Sequence, residues 1–121
     1  MRISERDGAT VAVVLDEEFE DPCRLEDAFQ RLIENLTRRA LVLDLSSVRS
    51  VNSLGIAVLL AAQGLAMIHE TRVVLAGLDR SVRRPLELVG ADRVLAMRDS
   101  VEEALALLAA ERAPAGSAPG T

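Results

Sequence analysis

The stretch Leu41-Val-Leu-Asp-Leu-Ser-Ser-Val-Arg-Ser-Val-Asn-Ser-Leu-Gly-Ile-Ala-Val-Leu-Leu60 constrains this chain more than any other. A largely apolar run, Leu41 to Leu45, reads as a buried strand. A polar loop follows from Ser46 to Asn52, and an almost wholly apolar segment then opens at Ser53 and runs to Ile68. A strand that delivers a serine to the first turn of a buried helix places that hydroxyl at a distinctive spot. The first amides of a helix have no intrahelical acceptor, and the aligned peptide dipoles leave about half a positive charge there. A hydroxyl at that point can become a phosphate dianion without disrupting the fold.

Composition narrows the functions available. At 121 residues the chain is long enough for one domain with a real core, and half its residues are hydrophobic. Phe19 and Phe29 are its sole aromatics, so no platform exists for stacking bases. A net charge of −5 argues further against nucleic acid. Every strong base is arginine. The absence of lysine removes P-loop phosphate binding, Schiff-base chemistry and a phospho-aspartate receiver of similar size. Cys23 and His69 are each alone, which leaves no disulfide within the chain and no Cys- or His-based metal set. No cofactor is expected. Neither a secretory signal nor a membrane-spanning segment is legible, so the expected location is the cytoplasm.

The rest of the chain alternates between strand and helix. Arg2–Arg6 and Thr10–Leu15 flank the turn dipeptide Asp7-Gly8 and predict an antiparallel hairpin. An acidic run, Asp16 to Asp21, reads as a solvated loop. Asp21-Pro22 is a cap followed by proline at the first helical position. Leu25, Ala28, Phe29, Leu32, Ile33 and Leu36 then form one helical face. A strand over Leu41–Leu45, a helix over Leu54–His69 and a strand over Arg72–Gly77 imply a right-handed parallel crossover. A third helix is predicted over Asp79–Val89, kinked or starting late because of Pro85, and closed by Gly90 in a left-handed cap. Arg93–Met97 suggests a short strand. Ser100-Val-Glu-Glu103 is a capping box opening a last helix with Val101, Ala104, Leu105 and Leu108 on one face. Residues 1–111 are read as one domain and 112–121 as a flexible tail.

This order resembles the STAS domain, the fold of sulphate transporters and anti-sigma-factor antagonists. Three stretches carry the resemblance. Leu41-Val-Leu-Asp-Leu-Ser-Ser-Val is similar to the family's apolar-Asp-Leu-Ser-x-Val strand. Val51-Asn-Ser-Leu-Gly-Ile-Ala-Val-Leu-Leu resembles its apolar-Asp-Ser-Ser-Gly-Leu signature. Val82-Arg-Arg-Pro-Leu-Glu-Leu-Val-Gly-Ala-Asp resembles its third helix and terminating glycine. The resemblance implies an α/β fold: a single STAS-like domain with a four- to five-stranded mixed sheet and about four helices. It also implies a non-enzymatic regulator of sigma-factor-dependent transcription. Such an antagonist binds an anti-sigma factor with serine-kinase activity, is released when its signature serine is phosphorylated, and is reset by a serine phosphatase. By position that serine is Ser53. Asn52 stands where the family has Asp, and Leu54 replaces its second serine.

Two readings of Ser53 follow. Either Asn52 or Ser53 can cap the helix through one backbone N–H, a bond stabilising it by roughly 1 kcal/mol. Alternatively Ser53 accepts a phosphate. On the second reading Asn52, Leu54, Gly55 and Ile56 make the partner contact around it, and the resemblance adds Asp21 from the acidic loop. A rival places the domain as a non-phosphorylated scaffold subunit of a transporter or signalling complex. Asp44, lacking a partner acid or base, reads as structural. Arg80, Arg83 and Arg84 read as the wet side of the third helix.

Overall fold

The computed structural model describes residues 1–112. Five strands, β1 (Arg2–Arg6), β2 (Ala9–Val13), β3 (Ala40–Asp44), β4 (Arg72–Ala76) and β5 (Ala96–Arg98), form one sheet in the order β1-β2-β3-β4-β5. β1 runs antiparallel to β2, and every other neighbouring pair is parallel. The β1–β2 turn is tight because Asp7 and Gly8 both take positive φ, 50° and 81°, which suits the right-handed twist of the flanking strands. Four α-helices complete the domain: α1 (Pro22–Glu34), α2 (Ser53–Ile68), α3 (Arg80–Leu88) and α4 (Val101–Glu111).

The apolar strands are explained by what covers them. Ala12, Leu41, Leu43, Val73 and Leu75 point to one face, where Leu25, Phe29 and Ile33 of α1, Val58, Leu59, Ala62 and Ala66 of α2, and Val82 and Leu86 of α3 meet them. Ala9, Val11, Ala40, Val42, Val74 and Ala76 point the other way, against Ala104, Leu105 and Leu108 of α4. A parallel sheet sandwiched between helices buries both faces of each inner strand. That is why Ala40 to Leu43 shows no alternation. β1 has only one neighbour and is exposed along its length, so it carries Arg2, Ser4, Glu5 and Arg6.

Several expectations need correcting. The acidic run is more ordered than a solvated loop: Glu17, Glu20 and Asp21 are exposed as expected, but Asp16–Glu20 forms a 3₁₀ turn with Phe19 buried beneath it. Its acids have work to do there, since Glu18 accepts the Leu15 amide at 2.8 Å and the N-terminal ammonium at 2.9 Å. Pro85 sits inside α3, which spans Arg80–Leu88 without starting late, and Gly90 follows at φ 77° as the left-handed residue. The last strand begins three residues later than expected. After Gly90 the backbone winds through a 3₁₀ turn, Ala91–Arg93, and the Leu95 amide reaches back to the Ala91 carbonyl at 2.8 Å. Arg83 is half-buried, with Nη2 3.0 Å from Asp99, so it does not belong to a fully wet face.

The expected flexible tail, 112–121, lies outside the described residues except for Arg112. That residue is pinned, its guanidinium donating to the Gly8 and Asp7 carbonyls at 2.7 and 2.9 Å. Leu43→Ala, which empties space at the centre of the sheet, is expected to lower stability by about 3 kcal/mol in urea denaturation. Leu88→Ala, at a side chain 73 % exposed, is expected to change it by less than about 0.5 kcal/mol.

Candidate functional site

The chain leaves β3 at Asp44 and crosses a short loop before α2 begins. Val48 anchors that loop as a fully buried plug, while Ser46, Ser47, Arg49 and Ser50 face outward. Asp44, at the strand end, accepts the Ser46 amide at 3.0 Å and so starts the turn, which is a structural task. Asn52 then takes an extended conformation, and its Oδ1 accepts the Gly55 amide at 3.0 Å. Its carbonyl accepts the Ile56 amide at 3.0 Å, the first bond of the helical ladder.

Asn52 is therefore the cap, and Ser53 is the first helical residue. The Ser53 side chain is exposed and has no hydrogen-bond partner among the described residues. The amides of Ser53 and Leu54 are likewise without a protein acceptor among them. A hydroxyl free of structural duty thus stands beside two open amides at the positive end of a 16-residue helix. Leu54 follows with 63 % of its surface exposed, an apolar side chain held in solvent beside that hydroxyl. Ile56 is half-buried against the main core.

Gly55 faces inward. A Cβ built there meets Phe19 Cδ1 at 3.0 Å and Val51 Cβ at 3.5 Å, so the missing side chain lets the Phe19 ring pack against the first turn of α2. Gly55 shapes this region from beneath and presents little surface of its own. Phe19 is the residue that sequence reasoning missed. An isolated aromatic inside an acidic run, in a chain with two aromatics, was the available signal.

Asp16, Phe19, Glu20, Ser50, Val51 and Asn52 line a shallow depression of about 290 Å³. The structure thus brings Asp16 and Glu20 to the loop that carries Ser53. Asp21 is placed differently. It caps α1 by accepting the Arg24 amide at 3.2 Å, and it lines a separate depression of about 470 Å³ with Met1, Leu15, Arg24 and Arg31.

The loop is held from both sides. The Arg49 amide donates to Asp16 Oδ1 at 2.9 Å, and the Ser81 hydroxyl donates to the Arg49 carbonyl. Ser81 also lies 2.7 Å from Asp79 Oδ2, and its hydrogen bond is the main reason the Asp79 carboxyl sits below the ordinary carboxylate value. His69 closes α2, its carbonyl accepting from Arg39 Nη1 at 2.9 Å. Cys23 is exposed. No helix among the described residues is long and apolar enough to cross a membrane.

A family model described as "Mlab, STAS domain" matches residues 4–99. The chain belongs to the STAS domain family. Solved structures share its fold. A chain of the stressosome, a signal integration and transduction hub, superposes with a TM-score of 0.78 at 23 % identity, covering 93 % of this chain and 100 % of that one. An anti-sigma-factor antagonist from Mycobacterium paratuberculosis gives 0.76 at 26 % identity, with 89 % and 92 % covered. The STAS domain of a SulP transporter from Vibrio cholerae gives 0.73 at 20 % identity, with 89 % and 85 % covered. The five-stranded mixed sheet with four α-helices is the expected STAS architecture.

Two outcomes follow from the cap and its neighbour. Asn52→Ala is expected to lower stability by about 1 kcal/mol in urea denaturation, whereas Asn52→Asp, which keeps the acceptor and adds negative charge at the helix start, is expected to match or slightly exceed wild type. For Asp79, a carboxyl depressed in the folded state stabilises above its unfolded value and loses that contribution as pH falls through the folded one. The stability advantage of wild type over Asp79→Asn should therefore shrink between about pH 5 and pH 3, measured by urea melts at each pH.

Proposed function

We propose that this STAS domain is an anti-sigma-factor antagonist, controlled by phosphorylation of Ser53 and acting in the cytoplasm on sigma-factor-dependent transcription. One observation carries the reading. Asn52 makes the capping bond, so the Ser53 hydroxyl is exposed at the helix N-terminus without serving the fold. The family resemblance of the signature around Ser53, and the likeness to an antagonist from Mycobacterium paratuberculosis, support the same reading. The partner on this account is an anti-sigma factor with serine-kinase activity. It brings the nucleotide, and the STAS domain contributes the acceptor hydroxyl and no catalysis.

The energetics favour a switch at the interface over one in the fold. A phosphoserine carries up to two negative charges near neutral pH. At the first turn of α2 the open amides and helix dipole favour that charge by roughly 0.3–1 kcal/mol, so the modified domain stays folded. The partner meets a different surface. Asn52, Leu54 and the outward part of Ile56 form a contact that accommodates a hydroxyl at its centre. Placing a dianion in such a desolvated contact costs on the order of several kcal/mol, and each 1.4 kcal/mol is about tenfold in affinity. A serine phosphatase restores the binding form.

A second reading has its own support. The transporter STAS domain from Vibrio cholerae shares the fold, and Asn52 and Leu54 depart from the antagonist signature. On that reading the domain is a constitutive scaffold subunit and Ser53 stays unmodified.

Incubation with each serine-kinase anti-sigma factor of the source genome and labelled ATP separates the two. Transfer to wild type and none to Ser53→Ala is expected, with Ser53→Asp binding the kinase at least about tenfold more weakly by calorimetry. Absence of transfer from all of them, or undiminished binding by Ser53→Asp, would remove the switch in favour of the scaffold.

A further inference from the structure

The loop that presents Ser53 has few bonds of its own. Between Leu45 and Asn52, one backbone bond closes a turn, from the Val48 amide to the Leu45 carbonyl at 3.0 Å. Beyond Val48 the chain is exposed at Arg49 and Ser50, and the described backbone bonds hold neither residue. Left to itself, such a segment samples many conformations. The helix start at Asn52 would then be joined to a loose strap.

Beyond the buried Val48, what restrains it is one residue, Arg49, gripped at both its backbone N–H and its backbone C=O. Asp16, from the 3₁₀ turn before α1, accepts the Arg49 amide at 2.9 Å. Ser81, from the first turn of α3, donates its hydroxyl to the Arg49 carbonyl. These partners lie 33 and 32 residues away in sequence and come from opposite flanks of the loop. The one Ser81 proton is shared with Asp79, 2.7 Å away, which in turn orients the hydroxyl. Arg49 is therefore a crossbeam between the 3₁₀ turn and α3, fastened by its backbone while its side chain stays exposed.

We propose that Asp16 and Ser81 are positioning residues for Ser53: by holding the Arg49 N–H and C=O from opposite flanks, they fix the loop that carries Asn52 and Ser53 into a partner's site. The inference rests on the phosphoacceptor reading for its consequence, though not for its geometry. A loop that is ordered only part of the time binds with an apparent affinity reduced by the ordered fraction. Loosening the crossbeam therefore raises the KM for phosphate transfer while the transfer step within the complex keeps its rate.

The test has two arms on the full chain. Amide hydrogen exchange, with no partner present, reads the Arg49 amide for the fastening and the Gly55 amide for the Asn52 cap. Asp16→Ala is expected to speed Arg49 exchange by about tenfold or more and Gly55 exchange by severalfold. Ser81→Ala, on the surface of α3 and so the safer variant for folding, is expected to speed both by severalfold. Asp16→Asn and Ser81→Thr keep the bonding groups and should restore wild-type protection. Kinetics with the kinase that phosphorylates wild type should then show KM raised at least about twofold by either alanine variant, as the ordered fraction falls, with kcat unchanged. Rescue by Asp16→Asn identifies the hydrogen bond, and not the negative charge, as the cause.

Unchanged Gly55 exchange in the double alanine variant overturns the proposal, as does faster exchange with an unaltered KM. If no kinase modifies wild type while the exchange pattern holds, the positioning of the loop stands and the phosphoacceptor reading is the one that fails.

Discussion

Everything at the Ser53 end depends on the burial of β3 on both faces. Leu41 and Leu43 pack under α1, α2 and α3, and Ala40 and Val42 pack under α4. A strand so enclosed has no freedom in register, because a slip of one residue would exchange its two apolar sets and misplace Asp44. The Asp44 carboxylate therefore always meets the Ser46 amide, Val48 always falls into the core, and α2 starts at a defined height above the sheet. The position of an exposed hydroxyl is set by side chains that never touch solvent.

Much of this was legible in the residues, and the reasons differ by element. β3, α2 and β4 announce themselves because strands covered on both faces are continuously apolar and short, while a helix of comparable hydropathy is longer. The hairpin was readable from Asp7-Gly8, and the start of α1 from Asp21-Pro22, since both pairs satisfy local backbone demands that few other residues meet. The segment Asp16–Glu20 was not. Its acids look like solvent-facing charge, yet Glu18 and Asp16 hold amides and an ammonium supplied by residues 3 to 33 positions distant. Polar bonds between elements leave no periodic trace in a sequence, so the acidic run and the Arg49 crossbeam emerge only from three dimensions.

The choice between Asn52 and Ser53 as cap shows the same boundary from closer in. Both residue types cap helices well, and adjacent positions cannot be ranked by propensity. Geometry decides. Asn52 has the extended backbone of a cap and the bond to Gly55, and this leaves Ser53 one step inside the helix with its side chain turned outward. The replacement of the family's aspartate by asparagine preserves that bond, since the amide oxygen accepts as the carboxylate would. It removes one negative charge from beside the hydroxyl, where a phosphate dianion would otherwise be repelled.

Gly55 and Phe19 join these pieces into one surface. The ring fills the space a side chain at Gly55 would occupy, which fastens the 3₁₀ turn to the first turn of α2. Asp16 and Glu20 ride on that turn and line the depression bounded by Ser50, Val51 and Asn52. The carboxylates and the Ser53 helix start are thus parts of one packed unit. A charge added at Ser53 meets a surface with little room to rearrange, because the ring beneath it is buried and the loop beside it is fastened at both flanks. If Ser53 is phosphorylated as proposed, the added charge acts on whatever binds from outside. On the phosphoacceptor reading, a presentation fastened in this way lets a local chemical change act on partner affinity directly, with the fold of the domain kept.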